Sequence, residues 1–391
     1  MKQRQRRDDA DDETRLILDS VERFLDRDVR PHAQALERSD TYPEDIVERM
    51  KELGLFGAVI APEYGGLGLS ATVYAQIVER IAAVWMSVSG IINSHLIMAA
   101  CVQRFGTEAQ KQAFLPRFAS GALRGGVALT EPDCGTDLQA IRTVATARPD
   151  GSWLINGTKT WISNGIHGTC FALLVKTDPA AEPRHRGMSL FLAEKGSGFD
   201  VGRKLGKLGY RGIDSAELVF RDFGIPADRL IGGVPGEGFR HVMGGLELGR
   251  INVAARGVGV AQAALDAATD YARTRHTFGR PIAQHQAIQI KIADMATRTA
   301  AARLLVEQAA QAYDRGLRSD MEAGMAKLFA TEAAMANAAE AMRIHGGYGY
   351  STDFIVERLY RDAPLLVIGE GTNEVQRLII ARQHMARTAN T

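Results

Sequence analysis

The sequence predicts a mainly helical α+β fold with three consecutive domains: a helical domain, a β domain and a second helical domain. Three observations support this order. Apolar residues recur at helical spacing in the first part of the chain, as at Ile17, Val21 and Phe24. Short β-rich runs separated by turns follow, and alanine-rich helical patterns then continue to the C-terminus. The predicted domains span residues 1–124, 125–235 and 236–391.

The middle segment has the composition of a small sheet or barrel. Residues 171–176, 188–192 and 216–220 are rich in β-branched, aromatic and other apolar types, and each run is short enough to be a strand. The dipeptides Asp150-Gly151 and Asn156-Gly157 are typical of two-residue hairpin turns. Both are therefore predicted to join neighbouring strands.

The last segment is predicted to be helical after the turn at Gly232-Gly233. Alanine-rich helical patterns cover residues 261–271, 286–313 and 321–342. At the other end of the chain, residues 1–13 are basic and then acidic and lack the apolar stretch of a secretory signal. We expect this N-terminal stretch to be a frayed arm.

Composition excludes several classes of partner. With 47 basic and 46 acidic residues among 391, the chain has no overall field that attracts nucleic acid or an anionic membrane. Cys101, Cys134 and Cys170 are odd in number and lack Cys-x-x-Cys spacing, which argues against a disulfide framework or a metal site and suits a reducing compartment. No uninterrupted apolar run approaches the roughly 18 residues of a membrane helix. We expect a cytoplasmic protein that does not insert into membranes.

The candidate catalytic residue is Glu370, an isolated carboxylate between two glycines. It follows the apolar run 365–368, which we expect to be a buried loop that raises the pKa of the carboxyl above about 4.3 and makes it a stronger base. Asn373 is expected to cap the following helix, whose positive end favours the ionised carboxylate instead. Sequence alone does not decide which effect is larger, and a glutamate before a helix is by itself more typical of dipole complementation.

The residues around Glu370 are similar to the C-terminal signature of the acyl-CoA dehydrogenase family, and the resemblance extends from residue 17 to about residue 385. Four more of its blocks occur in order: LTEPDCGTD at 129–137, KTWISNG at 159–165, RHTFGRPI at 275–282 and IHGGYGY at 344–350. The resemblance implies a C-terminal four-helix bundle, bound FAD and oxidation of an acyl-CoA thioester to trans-2-enoyl-CoA. Glu370 would remove the α-proton while the β-hydrogen leaves as hydride to flavin N5.

The resemblance also implies which residues bind the cofactor. By themselves, the turn at Thr130 is most simply a polar turn, Trp161 a core residue, Arg275 a basic helix end and the glycines near residue 346 a loop. In the family, Ser163 would lie at the flavin N5 and the segment at Arg275 would reach the flavin of a neighbouring subunit. The implied cofactor residues are Leu129, Thr130, Gly135, Thr136, Trp161, Ile162, Ser163, Arg275, Phe278, Gln286, Arg343, Gly346, Gly347, Thr372 and Glu374.

Several positions depart from the common family pattern. Arg343 stands where Gln is usual, and Val127 where many relatives carry an aromatic residue. Some branches place the catalytic Glu at the position of Gly249, which leaves Glu370 as the candidate base. Gly369 often corresponds to a Tyr in straight-chain enzymes, so its small size predicts a branched or bulky short acyl group. The implied substrate-binding residues are Thr136, Glu247, Arg250 and Gly371.

Other functions remain open from the sequence. An acyl-CoA oxidase or flavin monooxygenase shares this architecture, and a dicarboxylic acyl group of the methylsuccinyl type or a carrier-protein thioester is an alternative substrate. A non-catalytic acyl-binding protein is a further alternative. The resemblance implies an electron-transfer flavoprotein as acceptor, a role in fatty acid or amino acid catabolism, and a homotetramer built as a dimer of dimers.

Overall fold

The computed structural model describes residues 2–317 and 319–388, and side chains from residue 12 onward. Its first domain is helical, and a π-helical turn, Leu25–Val29, joins the first two helices. The prediction of a frayed N-terminal arm is wrong for residues 2–13, because they belong to the first helix. The helices are α1 (Lys2–Phe24), α2 (Arg30–Arg38), α3 (Glu44–Glu52), α4 (Ala71–Phe105) and α5 (Glu108–Ala119).

Helix α4 is the central element of this domain. It begins after Ser70, whose hydroxyl accepts a hydrogen bond from the Val73 amide at 3.2 Å, and it is interrupted at Trp85, where φ is −158° and ψ is 105°. Within the described chain it is the one helix long and apolar enough to span a membrane, yet 94% of its most apolar window is buried inside the protein. Such burial is typical of the core helix of a globular domain.

The middle domain contains a seven-stranded sheet. Its main path has the order β1-β4-β2-β3-β7-β6, and β5 pairs with β4. β1 and β4 run parallel, whereas the long β3–β7 pair is antiparallel. The three predicted strands are found with longer bounds. The strands are β1 (Gly125–Ala128), β2 (Val144–Ala147), β3 (Trp153–Ser163), β4 (Cys170–Lys176), β5 (Met188–Glu194), β6 (Phe199–Lys204) and β7 (Ser215–Ile225).

One of the two predicted hairpin turns is wrong. Asp150-Gly151 joins β2 to β3 as expected, with Gly151 at φ +83°. Asn156-Gly157 instead lies inside β3, where the register against β7 shifts between Ile155 and Gly157. A Cβ at Gly157, which has φ +148°, would lie 2.5 Å from the Thr143 hydroxyl. The glycine therefore serves a β-bulge and a close approach rather than a turn.

The C-terminal domain is helical, as predicted, so the expected order of helical, β and helical domains is confirmed. Small residues let its long helices approach closely: a Cβ at Gly257 would lie 2.8 Å from the Ala330 backbone. A short hairpin, β8 (His276–Thr277) with β9 (Arg280–Pro281), separates the first two helices. The helices are α6 (Gly238–Thr274), α7 (Gln286–Asp314), α8 (Asp320–His345), α9 (Val356–Ile368) and α10 (Asn373–Thr388).

The hydrophobic core has two parts. A large cluster runs through both helical domains and reaches one side of the sheet, and a smaller aromatic-rich cluster fills the other side around Phe171, Phe191 and Phe220. Helix α4 packs against both α6 and β1. All three domains therefore meet along this one helix.

Candidate active site

Glu370 lies in the short connection between α9 and α10. Residues 365–368 are the last turn of α9 rather than a loop, and Ile368 is 62% exposed although Leu366 is buried. The prediction of a buried apolar loop before Glu370 is therefore wrong. These residues form a helix, and successive side chains of a surface helix face the core and the solvent in turn. Glu370 itself adopts φ +55°, a conformation uncommon for a residue with a side chain, and Gly371 follows at φ +84°. This turn directs the carboxylate inward, where its side chain is 18% exposed.

The two oxygens of the Glu370 carboxylate have different surroundings. The Asn93 side chain on α4 donates a hydrogen bond to Oε1, and Nη2 of Arg256 on α6 lies 3.5 Å from the same oxygen. Oε2 is buried and has no hydrogen-bond partner among the described residues. It faces Gly249 on α6, where a Cβ would lie only 2.2 Å away. The two oxygens therefore differ, because two side chains hold Oε1 whereas none of the described residues holds Oε2.

Burial is the main influence on the acidity of Glu370 and raises the pKa of its carboxyl above the ordinary value. Arg256, the hydrogen bond from Asn93, Lys327 and Arg250 act in the opposite direction without cancelling that rise. The raised pKa that the sequence analysis expected from burial is confirmed, with desolvation as its largest cause. The carboxylate is accordingly a stronger base than an exposed glutamate.

A buried lysine holds the turn that carries Glu370. Nζ of Lys327 on α8 donates to the Gly371 carbonyl at 3.0 Å and to Oδ1 of Asn373 at 2.8 Å. Burial lowers the pKa of this lysine to about 8. The prediction that Asn373 caps α10 is wrong, since its amide donates to two residues of α8, and the Thr372 hydroxyl instead accepts from the Val375 amide at 3.4 Å. Lys327 went unrecognised in the sequence, where an alanine-rich helix gives no signal for a buried charge.

A second buried charge supports the turn after β1. Lys159 on β3 is completely buried, and its Nζ donates to Glu131 at 2.8 Å and to the Leu129 carbonyl at 3.0 Å. Burial lowers the pKa of Lys159 to about 8; burial also acts to raise that of Glu131, but the lysine charge keeps the pKa of Glu131 below its ordinary value. Glu131 also accepts from the Arg142 amide at 2.6 Å. The pair fixes the turn that carries Leu129, Thr130, Gly135 and Thr136.

The end of β3 lies beside this turn. The Thr160 amide donates to the Thr130 carbonyl at 2.9 Å. Trp161 has φ +60° and is 56% exposed, so it is not a core residue, whereas Ile162 is buried. The half-buried hydroxyls of Thr130 and Ser163 make no hydrogen bond within the described part of the chain. The structure thus brings together an open aromatic face and two available hydroxyls.

Helix α4 connects this surface to the carboxylate. The Ser94 hydroxyl accepts from the Val127 amide of β1 at 3.2 Å. A Cβ at Gly126 would lie 2.2 Å from that hydroxyl and 3.5 Å from the Ser163 carbonyl. Ser94 follows Asn93, the partner of Glu370, in the same helical turn. The carboxylate and the end of β3 therefore lie on two sides of one turn of α4.

The remaining predicted cofactor residues form another surface. Phe278 in the β8–β9 hairpin is 96% exposed, and the Arg275 guanidinium lies 6.0 Å from the Tyr348 ring. Tyr271 stacks on His345 with ring centroids 4.2 Å apart, which joins the end of α6 to the end of α8. No hydrogen bond links this surface to Glu370 within the described residues. Gln286, Arg343, Gly346 and Gly347 are all exposed on it.

The two predicted substrate residues of α6 differ in burial and in their ion-pair partners. Glu247 is half-buried and accepts from Arg104 at 3.2 Å. Arg250 is 7% exposed, and its guanidinium lies 3.5 Å from Asp320. Glu374, a predicted cofactor residue, is exposed in the first turn of α10. Of these three residues, Arg250 is among the groups that act to lower the pKa of the Glu370 carboxyl.

These features agree with what comparison with known proteins reveals. The family models for the acyl-CoA dehydrogenase N-terminal, middle and C-terminal domains match residues 11–122, 126–223 and 236–385. The chain belongs to the acyl-CoA dehydrogenase family. It is therefore an oxidoreductase and a flavoprotein, since members of the family depend on FAD.

The similarity extends over nearly the whole chain. An acyl-CoA dehydrogenase of Bacillus subtilis (strain 168) is 42% identical over 370 residues, covering 94% of this chain and 97% of the relative. The mitochondrial short-chain specific acyl-CoA dehydrogenase of Homo sapiens is 40% identical, covering 95% and 90%. The structure of butyryl-CoA dehydrogenase from Megasphaera elsdenii superposes with a TM-score of 0.92 at 35% identity, covering 95% and 98%.

The described side chains fit a flavin. The free hydroxyls of Thr130 and Ser163 can donate to the polar edge of an isoalloxazine ring, and the exposed indole of Trp161 offers a face for stacking. The exposed guanidinium of Arg275 suits a diphosphate. Each of these assignments to a particular part of FAD is a prediction that rests on the family resemblance.

Proposed function

We propose that this enzyme dehydrogenates the Cα–Cβ bond of a short acyl-CoA thioester, with Glu370 as the base for the α-proton. The observation that carries the proposal is the buried carboxylate with one held oxygen, Oε1, and one free oxygen, Oε2. Desolvation raises the pKa of the group, which is what a base that must accept a proton from a carbon acid requires. The end of β3 and the turn at Thr130 supply a flavin surface across the same turn of α4.

In this mechanism Glu370 takes the α-proton, and the electron pair of the Cα–H bond becomes the new π bond. The chemistry that bound FAD supplies is acceptance of the β-hydrogen with its electron pair, as a hydride. The protein's own contribution is to orient the carboxylate through Asn93 and Arg256 and to exclude water from it. The product is a trans-2-enoyl-CoA.

The substrate class that we propose is a short straight or branched acyl group. A Cβ at Gly369, next to the base, would have only the Leu365 carbonyl within 4 Å, at 3.3 Å, so the glycine leaves open space on this side. The relatives named short-chain specific acyl-CoA dehydrogenase and butyryl-CoA dehydrogenase act on short chains by their names. Open space beside the base favours a branched short group among these.

An anaerobic titration of the flavin-loaded protein tests the proposal. Butyryl-CoA, isobutyryl-CoA and methylsuccinyl-CoA would be added in turn while the flavin absorbance is followed. We expect bleaching by butyryl-CoA or isobutyryl-CoA and formation of the matching enoyl-CoA. Bleaching by methylsuccinyl-CoA alone would establish the dicarboxylic alternative. No bleaching by any thioester would refute the proposed reaction, and rapid reoxidation of reduced flavin in air would indicate an oxidase.

The proposal includes the partners of the reaction. An electron-transfer flavoprotein is the proposed acceptor, and a homotetramer built as a dimer of dimers is the proposed assembly. The exposed Phe278 and Tyr350, which are 96% and 88% exposed on the surface that carries Arg275, support association through that face. A cytoplasmic location is proposed in keeping with the free cysteines.

A further inference from the structure

Arg256 is the nearest cation to the catalytic candidate, and sequence reasoning did not single it out. It is 4% exposed, and its Nη2 lies 3.5 Å from Oε1 of Glu370. Its Nη1 donates to the Tyr210 hydroxyl at 3.1 Å, while Nε has no hydrogen-bond partner among the described residues. A guanidinium desolvated in this way needs a counter-ion, and Glu370 is the carboxylate that the structure provides.

Tyr210 accepts a hydrogen bond from Nη1 of the guanidinium, whereas Glu370 lies nearest Nη2. Tyr210 is 6% exposed and adopts φ +56°. Its hydroxyl reaches Arg256 by passing over Gly90 of α4, where a Cβ would lie 1.5 Å from the hydroxyl oxygen. Only a glycine at this position leaves the space that the hydroxyl occupies. Arg256 is therefore held between a tyrosine and the carboxylate.

Asn93 and Arg256 approach Glu370 from different helices but meet the same oxygen. Asn93 comes from α4 and Arg256 from α6, and both contact Oε1. Oε2 lies next to the position that a Cβ of Gly249 would occupy, about two helical turns before Arg256 along α6. Because both anchors contact Oε1, they hold the carboxylate in an orientation that leaves Oε2 without a hydrogen-bond partner among the described residues.

From this geometry we propose that Arg256 is a positioning residue for the base: with Asn93 it fixes Oε1 of Glu370, so that Oε2 receives the α-proton. The inference rests on the proposed function and adds the atom that reacts. The transfer breaks the Cα–H bond, whose electron pair becomes the new π bond, and a lone pair of Oε2 makes the O–H bond. The positive charge of Arg256 favours the ionised form of the carboxylate and opposes the effect of burial.

Other charged and titratable groups face Glu370 as well. Arg250 lies on α6, Lys327 on α8 and Tyr74 on α4, and Tyr210 lies in the segment before β7. Arg250 also faces Asp320, and Lys327 is engaged with Gly371 and Asn373. Arg256 differs from these cations because it forms the direct ion pair with Glu370. Its removal should therefore have the largest effect on the ionisation of the base.

The test compares Arg256→Gln and Arg256→Lys with wild type in the flavin-loaded enzyme. The rate of anaerobic flavin reduction by butyryl-CoA would be measured as a function of pH. Loss of a cation near a carboxylate raises the pKa of that carboxylate, so the acid limb of the profile should move to higher pH by about one to three units in Arg256→Gln. Arg256→Lys keeps the charge and should restore most of the shift. Arg303→Gln on α7, whose arginine pairs with Glu79, is the matched control and should keep the wild-type limb.

An acid limb in Arg256→Gln that coincides with wild type would overturn the inference, even if the rate were lower at every pH. Tyr210→Phe provides a second route should Arg256→Gln fail to fold, since it removes only the hydroxyl that holds Arg256. It should move the limb in the same direction by a smaller amount, and no movement would count against the inference. Failure of the proposed function has a different signature, because wild type itself would then not be reduced.

Discussion

Asp362 accepts a hydrogen bond from the backbone amide of Tyr210 at 2.5 Å, while its second oxygen is buried without a partner among the described residues. Burial raises the pKa of this carboxyl to about 6, and the amide of Tyr210 and the charge of Arg358 only partly oppose the rise. The folded protein therefore retains a proton on Asp362 that the unfolded chain releases near its ordinary pKa of 3.8. Stability from this group is complete below about pH 4 and is lost as the pH rises through about 6.

Asp362→Asn should remove this pH dependence, because an amide resembles the protonated acid and keeps an acceptor for Tyr210. From a shift of 3.8 to about 6, the variant should gain up to about 3 kcal/mol of unfolding free energy relative to wild type between pH 4 and pH 7. Denaturant unfolding at several pH values measures this. Asp133→Asn, at an exposed side chain, is the control and should change little. A difference between Asp362→Asn and wild type that does not vary with pH would contradict the expectation.

Glu370→Gln should retain flavin but lose its reduction by substrate. The amide keeps the shape of the side chain and removes its basicity, so the rate of anaerobic flavin reduction should fall by about 10²- to 10⁴-fold. Stopped-flow absorbance with butyryl-CoA measures the rate. Glu307→Gln, at an exposed glutamate of α7, should behave as wild type. Near-normal reduction in Glu370→Gln would assign the base to another residue.

Gly249→Ala should impair the reaction without unfolding the protein. The new Cβ would need the space that Oε2 of Glu370 occupies, 2.2 Å away, so the carboxylate must turn. A displacement of a reacting group by about 1 Å can lower the rate by about 10²-fold, and we expect a loss of that order. The control is Gly324→Ala on α8, where the nearest atom to a Cβ is a flexible Ile380 side-chain carbon at 3.3 Å. Wild-type rates in Gly249→Ala would show that the space beside Oε2 is unnecessary.

Arg275→Gln should weaken FAD binding. If its guanidinium binds the diphosphate, its loss removes a charge-assisted hydrogen bond of about 1.5–3 kcal/mol, which is about a 10- to 100-fold rise in the FAD dissociation constant. Flavin retained after dialysis against dilute buffer, relative to protein, measures the effect. Arg273→Gln two residues earlier, 3.7 Å from Asp270 and exposed, is the matched control. Equal flavin loss in the two variants would remove Arg275 from the site.

Local patterns in the sequence were sufficient for the order of the domains. The helix α7 was expected at residues 286–313 and spans Gln286–Asp314, because alanine and other strong helix formers dominate this segment. The two glycine dipeptides in the β domain show the limit of such patterns. Asp150-Gly151 forms a hairpin and Asn156-Gly157 a bulge, and the difference depends on Thr143 and β7, which local sequence does not include.

The raised pKa of Glu370 could be predicted from the sequence, but most of the surroundings of its carboxylate could not. Asn93 is 277 residues away from Glu370 along the chain, and Tyr210 is 46 residues away from its partner Arg256. Neither residue has a local pattern that distinguishes it from an ordinary core position. Buried polar partners of this kind are specified by tertiary packing, so they were found only when the helices were placed side by side.

The position of α4 means that the three domains cannot act as interchangeable modules. Asn93 and Ser94 are consecutive residues of α4, a helix of the first domain. Asn93 donates a hydrogen bond to Glu370 in the C-terminal domain, and Ser94 accepts one from the Val127 amide in the β domain. A domain exchanged with one from a distant relative would have to match both contacts at once. A distortion of this turn of α4 should therefore disturb both contacts together, and insertions should be tolerated in outer loops sooner than in this helix.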